Sequence, residues 1–265
     1  RSNIEHLNAE PLSGYLLQGS NGEFVFLDAD ERVDVVRVAR AAIPTERLLI
    51  AGSGMESTLA TIALTNRMAE AGADVALVVT PHYFKGAMTA AALEKHYRQV
   101  AAAAPLPIML YNVPVFTGID LPVETVVNLA THANIIGIKD SSGNVGKLGL
   151  TVRETPDDFQ VLTGSGSTFL PALAVGAVGG MMALANIAAG SLAELLRFFR
   201  QGDVESAAEI QRRLIAPNVA ITAKFGVAGL KAALDVLGSC GGPVRSPLLP
   251  LQDSERNELR AILEA

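Results

Sequence analysis

The chain has no tryptophan, few other aromatics and a single cysteine, Cys240. With aromatic residues at 5%, it lacks the stacking platforms on which single-stranded nucleic acid is held. A formal charge of -6 disfavours any polyanionic partner, so no nucleic-acid partner is expected. One cysteine excludes a disulfide framework within the chain and fits a reducing compartment, the cytoplasm or a mitochondrial matrix. Cys240 itself is expected only to pack, as free cysteines usually do. No apolar stretch is long and unbroken enough to span a bilayer, and no membrane partner is expected. The opening "RSNIEHLNAE" (1–10) carries neither the basic nor the apolar region of a signal peptide and reads as a piece of polar helix.

Several chemistries are missing too. The four histidines, His6, His82, His96 and His132, fall in separate units with no HxH or HExxH spacing, so neither a metal nor a cofactor is expected. There is no GxSxG elbow for a serine hydrolase and no GxGxxG turn after the first strand. "GSGMES" (52–57) has no Walker lysine.

What is present is a chain of 265 residues, 49% apolar and rich in Ala, Val, Leu and Gly, which suits close packing of helices on a sheet. Short apolar runs alternate with helical patterns at intervals of roughly 20 to 30 residues, the signature of βα units and a parallel sheet. The predicted strands are "GYLLQG" (14–19), "RLLIAG" (47–52), "DVALVVT" (74–80), "PIMLYNV" (107–113), "IIGIKDS" (135–141), "FQVLTGS" (159–165) and "VGGMMAL" (178–184). Asp28 and Glu31 predict a capping box before one helix, and "DLP" (120–122) predicts an N-cap with an early proline before another. The glycines of "GAVGG" (176–180) predict close approach of helix and strand. After the seventh strand the pattern is purely helical. No Pro, Gly or Ser-rich linker interrupts the chain, so one domain is expected, with a barrel over 1–190 and a helical extension over 191–265. Eight strands, a (β/α)8 TIM barrel, follow if one strand precedes residue 1.

In such a barrel the chemistry gathers at the C-terminal ends of the strands. There lie Ser20 and Asn21 after the first run, Tyr83 after the third, Tyr111 in the fourth, Lys139 at the end of the fifth and Gly164 at the end of the sixth. Lys139, in "GIKDSSGN" (137–144), ends an apolar run. It is either a strand-end lysine snorkelling to solvent or paired with Asp140, or an amine in a poorly solvated pocket, poised to attack a carbonyl. Tyr111 reads equally as a core tyrosine or as a proton shuttle beside that amine. Neighbouring strands lie about 4.8 Å apart, close enough for the two side chains to share a pocket if both face inward. "GSNGEF" (19–24) is either a plain turn or a nest of amides converging on an anion.

Together, "GSNGE" (19–23), "TPHYFK" (80–85), "YNVPVFTG" (111–118), "GIKDSSGN" (137–144) and "TGSGS" (163–167), in that order and spacing, resemble the pyruvate-dependent class I lyase family. That family includes dihydrodipicolinate synthase, N-acetylneuraminate lyase and 4-hydroxy-2-oxoglutarate aldolase. "RLLIAGSGMEST", "DDFQVLTGS" and "GGPVRSPL" look most like the last of these. The resemblance implies a (β/α)8 barrel with a C-terminal helical extension, a first strand missing from this sequence, a homotetramer and a small-molecule oxo-acid substrate. It also implies Lys139 as the Schiff-base lysine, Tyr111 as its general acid/base, and Ser20 and Asn21 as holders of the pyruvyl carboxylate. Tyr83 would reach into a neighbouring subunit's site, and Ser141 and Gly164 would line the aldehyde end.

Dihydrodipicolinate synthases generally carry arginine where this chain has Phe116, and sialic acid lyases tend to carry acidic residues where Ser165 and Gly166 follow Gly164. These departures favour a short substrate and the cleavage of 4-hydroxy-2-oxoglutarate to pyruvate and glyoxylate. A 2-keto-3-deoxy sugar acid aldolase, a dihydrodipicolinate synthase and a non-catalytic oxo-acid-binding barrel are the alternatives.

Overall fold

The computed structural model describes residues 1–264. A short polar helix α1 (Ser2–Leu7) leads into alternating strands and helices: β1 (Gly14–Leu17), α2 (Ala29–Arg40), β2 (Leu48–Gly52), α3 (Thr58–Glu70), β3 (Val75–Val79), α4 (Ala90–Ala103) and β4 (Ile108–Asn112). A one-turn α5 (Pro114–Thr117) and α6 (Val123–Ala130) follow, then β5 (Ile135–Asp140), α7 (Val145–Glu154), β6 (Gln160–Thr163), α8 (Phe169–Ala174) and β7 (Gly179–Gly180). The remaining elements are helices, α9 (Ala185–Arg200), α10 (Val204–Val219), α11 (Gly226–Val236) and α12 (Asp253–Glu264), with an irregular segment over 237–252 between the last two.

The strands form one parallel, curled sheet in the order β1 to β7, as right-handed βα units produce. Each strand splits its residues by period two. Ile50, Val75, Leu77, Val79, Met109 and Tyr111 form the inner core. Their neighbours Leu49, Ala51, Ala76, Val78, Ile108 and Leu110 pack outward among Val36, Leu64, Met68, Leu93 and Val100 of the helices. Strands buried on both faces read as continuous apolar runs, which is why their sequences reveal them.

The capping box of α2 is present: Asp28 Oδ1 accepts from the Asp30 and Glu31 amides at 2.9 and 2.8 Å, and Glu31 accepts from the Asp28 amide at 3.1 Å. The start of α6 differs from expectation. Its N-cap is Pro122, with no side-chain cap, because the Asp120 carboxylate is drawn instead to Asn112 and Lys147. The seventh strand is only a glycine pair where seven residues were expected. The amides of Val178 and Met181 extend its bonding to β6 at 3.0 and 2.9 Å, but Met182 and Leu184 already belong to the helical core. Among the described residues nothing pairs β1 with β7.

That helical core joins Phe169, Leu173, Met182 and Leu184 to Leu192, Leu195, Ile210, Leu214, Leu230 and Leu259 of α9 to α12. Residue 190 lies inside α9, just past its kink at Ala188.

Candidate active site

A single irregularity sets the site. Between β4 and β5 the register runs Ile108↔Ile135 and then Met109↔Gly137, one extra residue on β5. Ile135 faces the helices, whereas Ile136 packs with the inner core. A Cβ on Gly137 would lie 2.9 Å from inward-facing Met109 Cε, so Ile136 and Gly137 both face in. A one-residue slip flips every later side chain to the other face. Beyond the bulge, Tyr111 pairs with Lys139 and Asn112 with Asp140, and Lys139 turns into the barrel.

Lys139 is 6% exposed and Tyr111 4%, with Lys139 Nζ 4.2 Å from the centre of the Tyr111 ring. This burial excludes a lysine snorkelling to solvent. The ion pair with Asp140 is also absent: the Asp140 carboxylate points outward, accepting from Asn112 Nδ2 at 2.8 Å and lying 3.6 Å from Lys147 Nζ. Among the described residues Lys139 has no carboxylate partner. Its walls are glycines. A Cβ on Gly19 would lie 3.8 Å from Nζ; one on Gly164 would lie 3.1 Å from Lys139 Cε and 1.9 Å from Ser141 Oγ. Any side chain at 164 would force Ser141 and the Lys139 stem to move.

Ser20, in a 3-10 turn Ser20–Gly22 after β1, places Oγ 3.0 Å from the Tyr111 hydroxyl. The amides of Ser20 and Asn21 donate to no acceptor among the described residues. Ser20, Tyr111, Lys139, Ser141 and Gly164 are thus brought together around one amine. Tyr83 is not. It is 76% exposed, stacked edge to face on Phe84 with centres 5.1 Å apart, on a loop whose His82 and Tyr83 amides donate to Glu56 Oε2 at 2.9 Å. Phe116 stands 64% exposed on α5.

Other polar residues hold this arrangement in place, and none of them was foreseen. Gln18 adopts a left-handed backbone, φ +59°, at the end of β1, where its side chain meets Arg32. The Arg32 guanidinium is buried with no carboxylate partner among the described residues, donating to Gln18 Oε1 at 3.0 Å and the Gly52 carbonyl at 2.8 Å. Burial lowers its pKa to about 10, so the clamp on β1 and β2 remains cationic at neutral pH. On the far side, Gln211 Nε2 donates to the Gly166 carbonyl at 2.9 Å and Asn218 Nδ2 to Ser167 Oγ at 2.8 Å, which ties the loop after β6 to α10. These contacts join residues far apart in sequence, and composition and periodicity carry no trace of them.

A parallel α/β barrel-like sheet with a lysine and a tyrosine side by side at the ends of adjacent strands defines an enzyme class whose chemistry runs through an amine and a carbonyl. A model of the dihydrodipicolinate synthetase family matches residues 1–265, and the chain belongs to that family of pyruvate-dependent, class I aldolase-type lyases. Two relatives are each named 4-hydroxy-tetrahydrodipicolinate synthase. The one from Listeria monocytogenes serotype 4a is 35% identical over 262 residues, covering 98% of this chain and 89% of its own. The one from Oceanobacillus iheyensis is 36% identical over 264 residues, covering 98% and 88%. Among solved structures, dihydrodipicolinate synthase DapA-2 from Bacillus anthracis superposes with a TM-score of 0.95 at 30% identity, over 99% of this chain and 89% of that one. A prophage protein of the dihydrodipicolinic acid synthase family from E. coli K12, in complex with pyruvate, gives 0.92 at 32%, over 99% and 89%.

Proposed function

We propose that the protein is a Schiff-base aldolase that cleaves 4-hydroxy-2-oxoglutarate to pyruvate and glyoxylate. The observation that carries this reading is the Lys139 amine, held without a carboxylate partner against Tyr111 and Ser20. The amine attacks C2 of the oxo acid, and loss of water leaves a protonated imine. The imine accepts the electron pair when the C3 to C4 bond breaks, giving an enamine. Tyr111 takes the C4 hydroxyl proton as glyoxylate departs and returns a proton to C3. Water then hydrolyses the imine, freeing pyruvate and Lys139. The route asks for no metal ion.

Ser20 and Asn21 hold the pyruvyl carboxylate in this reading, a role supported by their uncommitted amides. Ser141 and Gly164 line the aldehyde end. The exposure of Tyr83, Phe84, Val115 and Phe116 supports burial against a second copy of the chain, and in the homotetramer that the resemblance implies Tyr83 would complete a neighbour's site. The bacterial relatives favour a cytoplasmic location over a mitochondrial matrix.

A second reading, 4-hydroxy-tetrahydrodipicolinate synthesis, is favoured by the names of the relatives and opposed by Phe116, which offers no charge to a carboxylate. Steady-state kinetics with pyruvate and three acceptors separates them. Glyoxylate should give the highest kcat/KM, above glyceraldehyde and aspartate semialdehyde; preference for aspartate semialdehyde would establish the second reading and discard the first. A barrel that only binds oxo acids would turn over none of the three.

A further inference from the structure

The loop after β1 bears Ser20 and Asn21, and the inference below rests on their proposed grip on the pyruvyl carboxylate. At its end sits Glu23, with φ +56°, a left-handed backbone that few residues other than glycine adopt. Glycine would take it more readily, so the side chain is kept at a conformational cost, and strain of this kind points to a role. Glu23 is 7% exposed. Its Oε2 lies 2.5 Å from Lys231 Nζ on α11, and its Oε1 accepts from the Arg245 amide at 2.8 Å, across 222 positions of sequence. Both partners are themselves tied down. Lys231 also donates to the Pro243 carbonyl at 2.6 Å, and the Arg245 guanidinium grips Glu31 of α2 through two nitrogens, at 3.2 and 2.5 Å.

The backbone of Glu23 carries this anchorage into the site. Its amide donates to the Ser20 carbonyl at 3.1 Å, and the Ser20 hydroxyl meets Tyr111 at 3.0 Å. We infer that Glu23 is a positioning residue. It fixes the residue 19–22 turn against α11 and the irregular segment that follows it, so that the Ser20 and Asn21 amides are aimed at the carboxylate of pyruvate before it arrives. This C-terminal region thereby sets affinity for the oxo acid, although it lies outside the strand ends where the amine sits.

A grip on a carboxylate that takes no part in bond changes is felt equally in ground state and transition state, so its loss raises KM and spares kcat. The test is the pyruvate dependence of borohydride inactivation, which reads occupancy of the imine without turnover, beside steady-state kinetics and melting temperature. In Glu23→Gln, half-saturating pyruvate should rise about 10-fold, the size of one lost charge-assisted contact, and by more than kcat falls, since the same turn also holds Ser20 against Tyr111. Lys231→Met should do the same and Lys231→Arg should restore most of the affinity, which keeps the test alive if Glu23→Gln fails to fold. Unchanged half-saturation in Glu23→Gln and Lys231→Met, with the wild type trapped, overturns the inference and leaves the aldolase reading standing. A fall in kcat with unchanged KM also overturns it. A wild type that is never trapped overturns the aldolase reading and the inference with it.

Discussion

Lys139 and Lys147 lie on opposite faces of the same edge of the barrel, and their surroundings differ in kind. Lys147 reaches from α7 into the helix layer, where its Nζ meets the carboxylates of Asp120 and Asp140, while Asn112 Nδ2 donates to the same two carboxylates at 2.7 and 2.8 Å. Lys139 reaches inward to a tyrosine ring and two glycines. The outer lysine offsets the charge of buried Asp140 and half-exposed Asp120 and so ties β4, β5 and the segment before α6 together; Asp140 also accepts from Asn112 Nδ2 and the Ser142 amide. Among the described residues the inner lysine has no carboxylate to neutralise, and in the proposed reaction it condenses with a carbonyl. The two arrangements are one device seen from its two sides, because strand alternation places Asn112 and Asp140 outside wherever Tyr111 and Lys139 are inside.

The comparison is tested most severely by exchanging losses. Lys139→Ala should abolish aldol cleavage in steady-state assays and leave the unfolding midpoint near that of the wild type. Tyr111→Phe should keep imine formation and lose about 10²- to 10⁴-fold in kcat, the usual contribution of a general acid/base. Gly164→Ala should lose about 100-fold, since its methyl would collide with Ser141 Oγ and press on Lys139 Cε, and small misplacements of reacting groups have effects of that size. Lys147→Met should instead lower stability by about 1 to 2 kcal/mol in denaturant titration, because Asp120 is half-exposed and Asp140 keeps its bonds from Asn112 and Ser142, and still form the imine in whatever fraction folds.

His96 sharpens the contrast as another buried base. Its Nδ1 meets Thr58 Oγ1 at 2.9 Å, its Nε2 has no partner among the described residues, and burial lowers its pKa from 6.5 to about 4. Below pH 6.5 the unfolded chain takes up a proton that the folded protein refuses. Stability should therefore fall as pH drops from about 6.5 towards 4, by about 2 to 3 kcal/mol in all. His96→Leu should remove that part of the pH dependence in thermal melts between pH 4 and 7.

Much of this was legible in the sequence for stated reasons. β3, "VALVV", is buried on both faces and reads as a strand without ambiguity. Lys139 is conspicuous because an ammonium at the end of an apolar run requires an explanation. Which face it takes was not legible. The pattern "NIIGIK" (134–139) is compatible with either, and the extra residue at Ile136 that decides it shows only in the pairing with β4. Asp120 looked like a helix cap because local spacing suggested it, whereas a tertiary partner, Lys147, outcompetes the helix end. The Glu23 to Lys231 pair was invisible for the same reason: the motif "GSNGE" contains the glutamate, but its partner lies on α11, near the other end of the chain.

The central claim is that the inner amine, and not the outer one, condenses with an oxo acid. Incubating the protein with pyruvate and borohydride, followed by peptide mapping by mass spectrometry, measures it directly. The account predicts one reduced pyruvyl adduct, on Lys139; an adduct on Lys147, or none on Lys139, would contradict it.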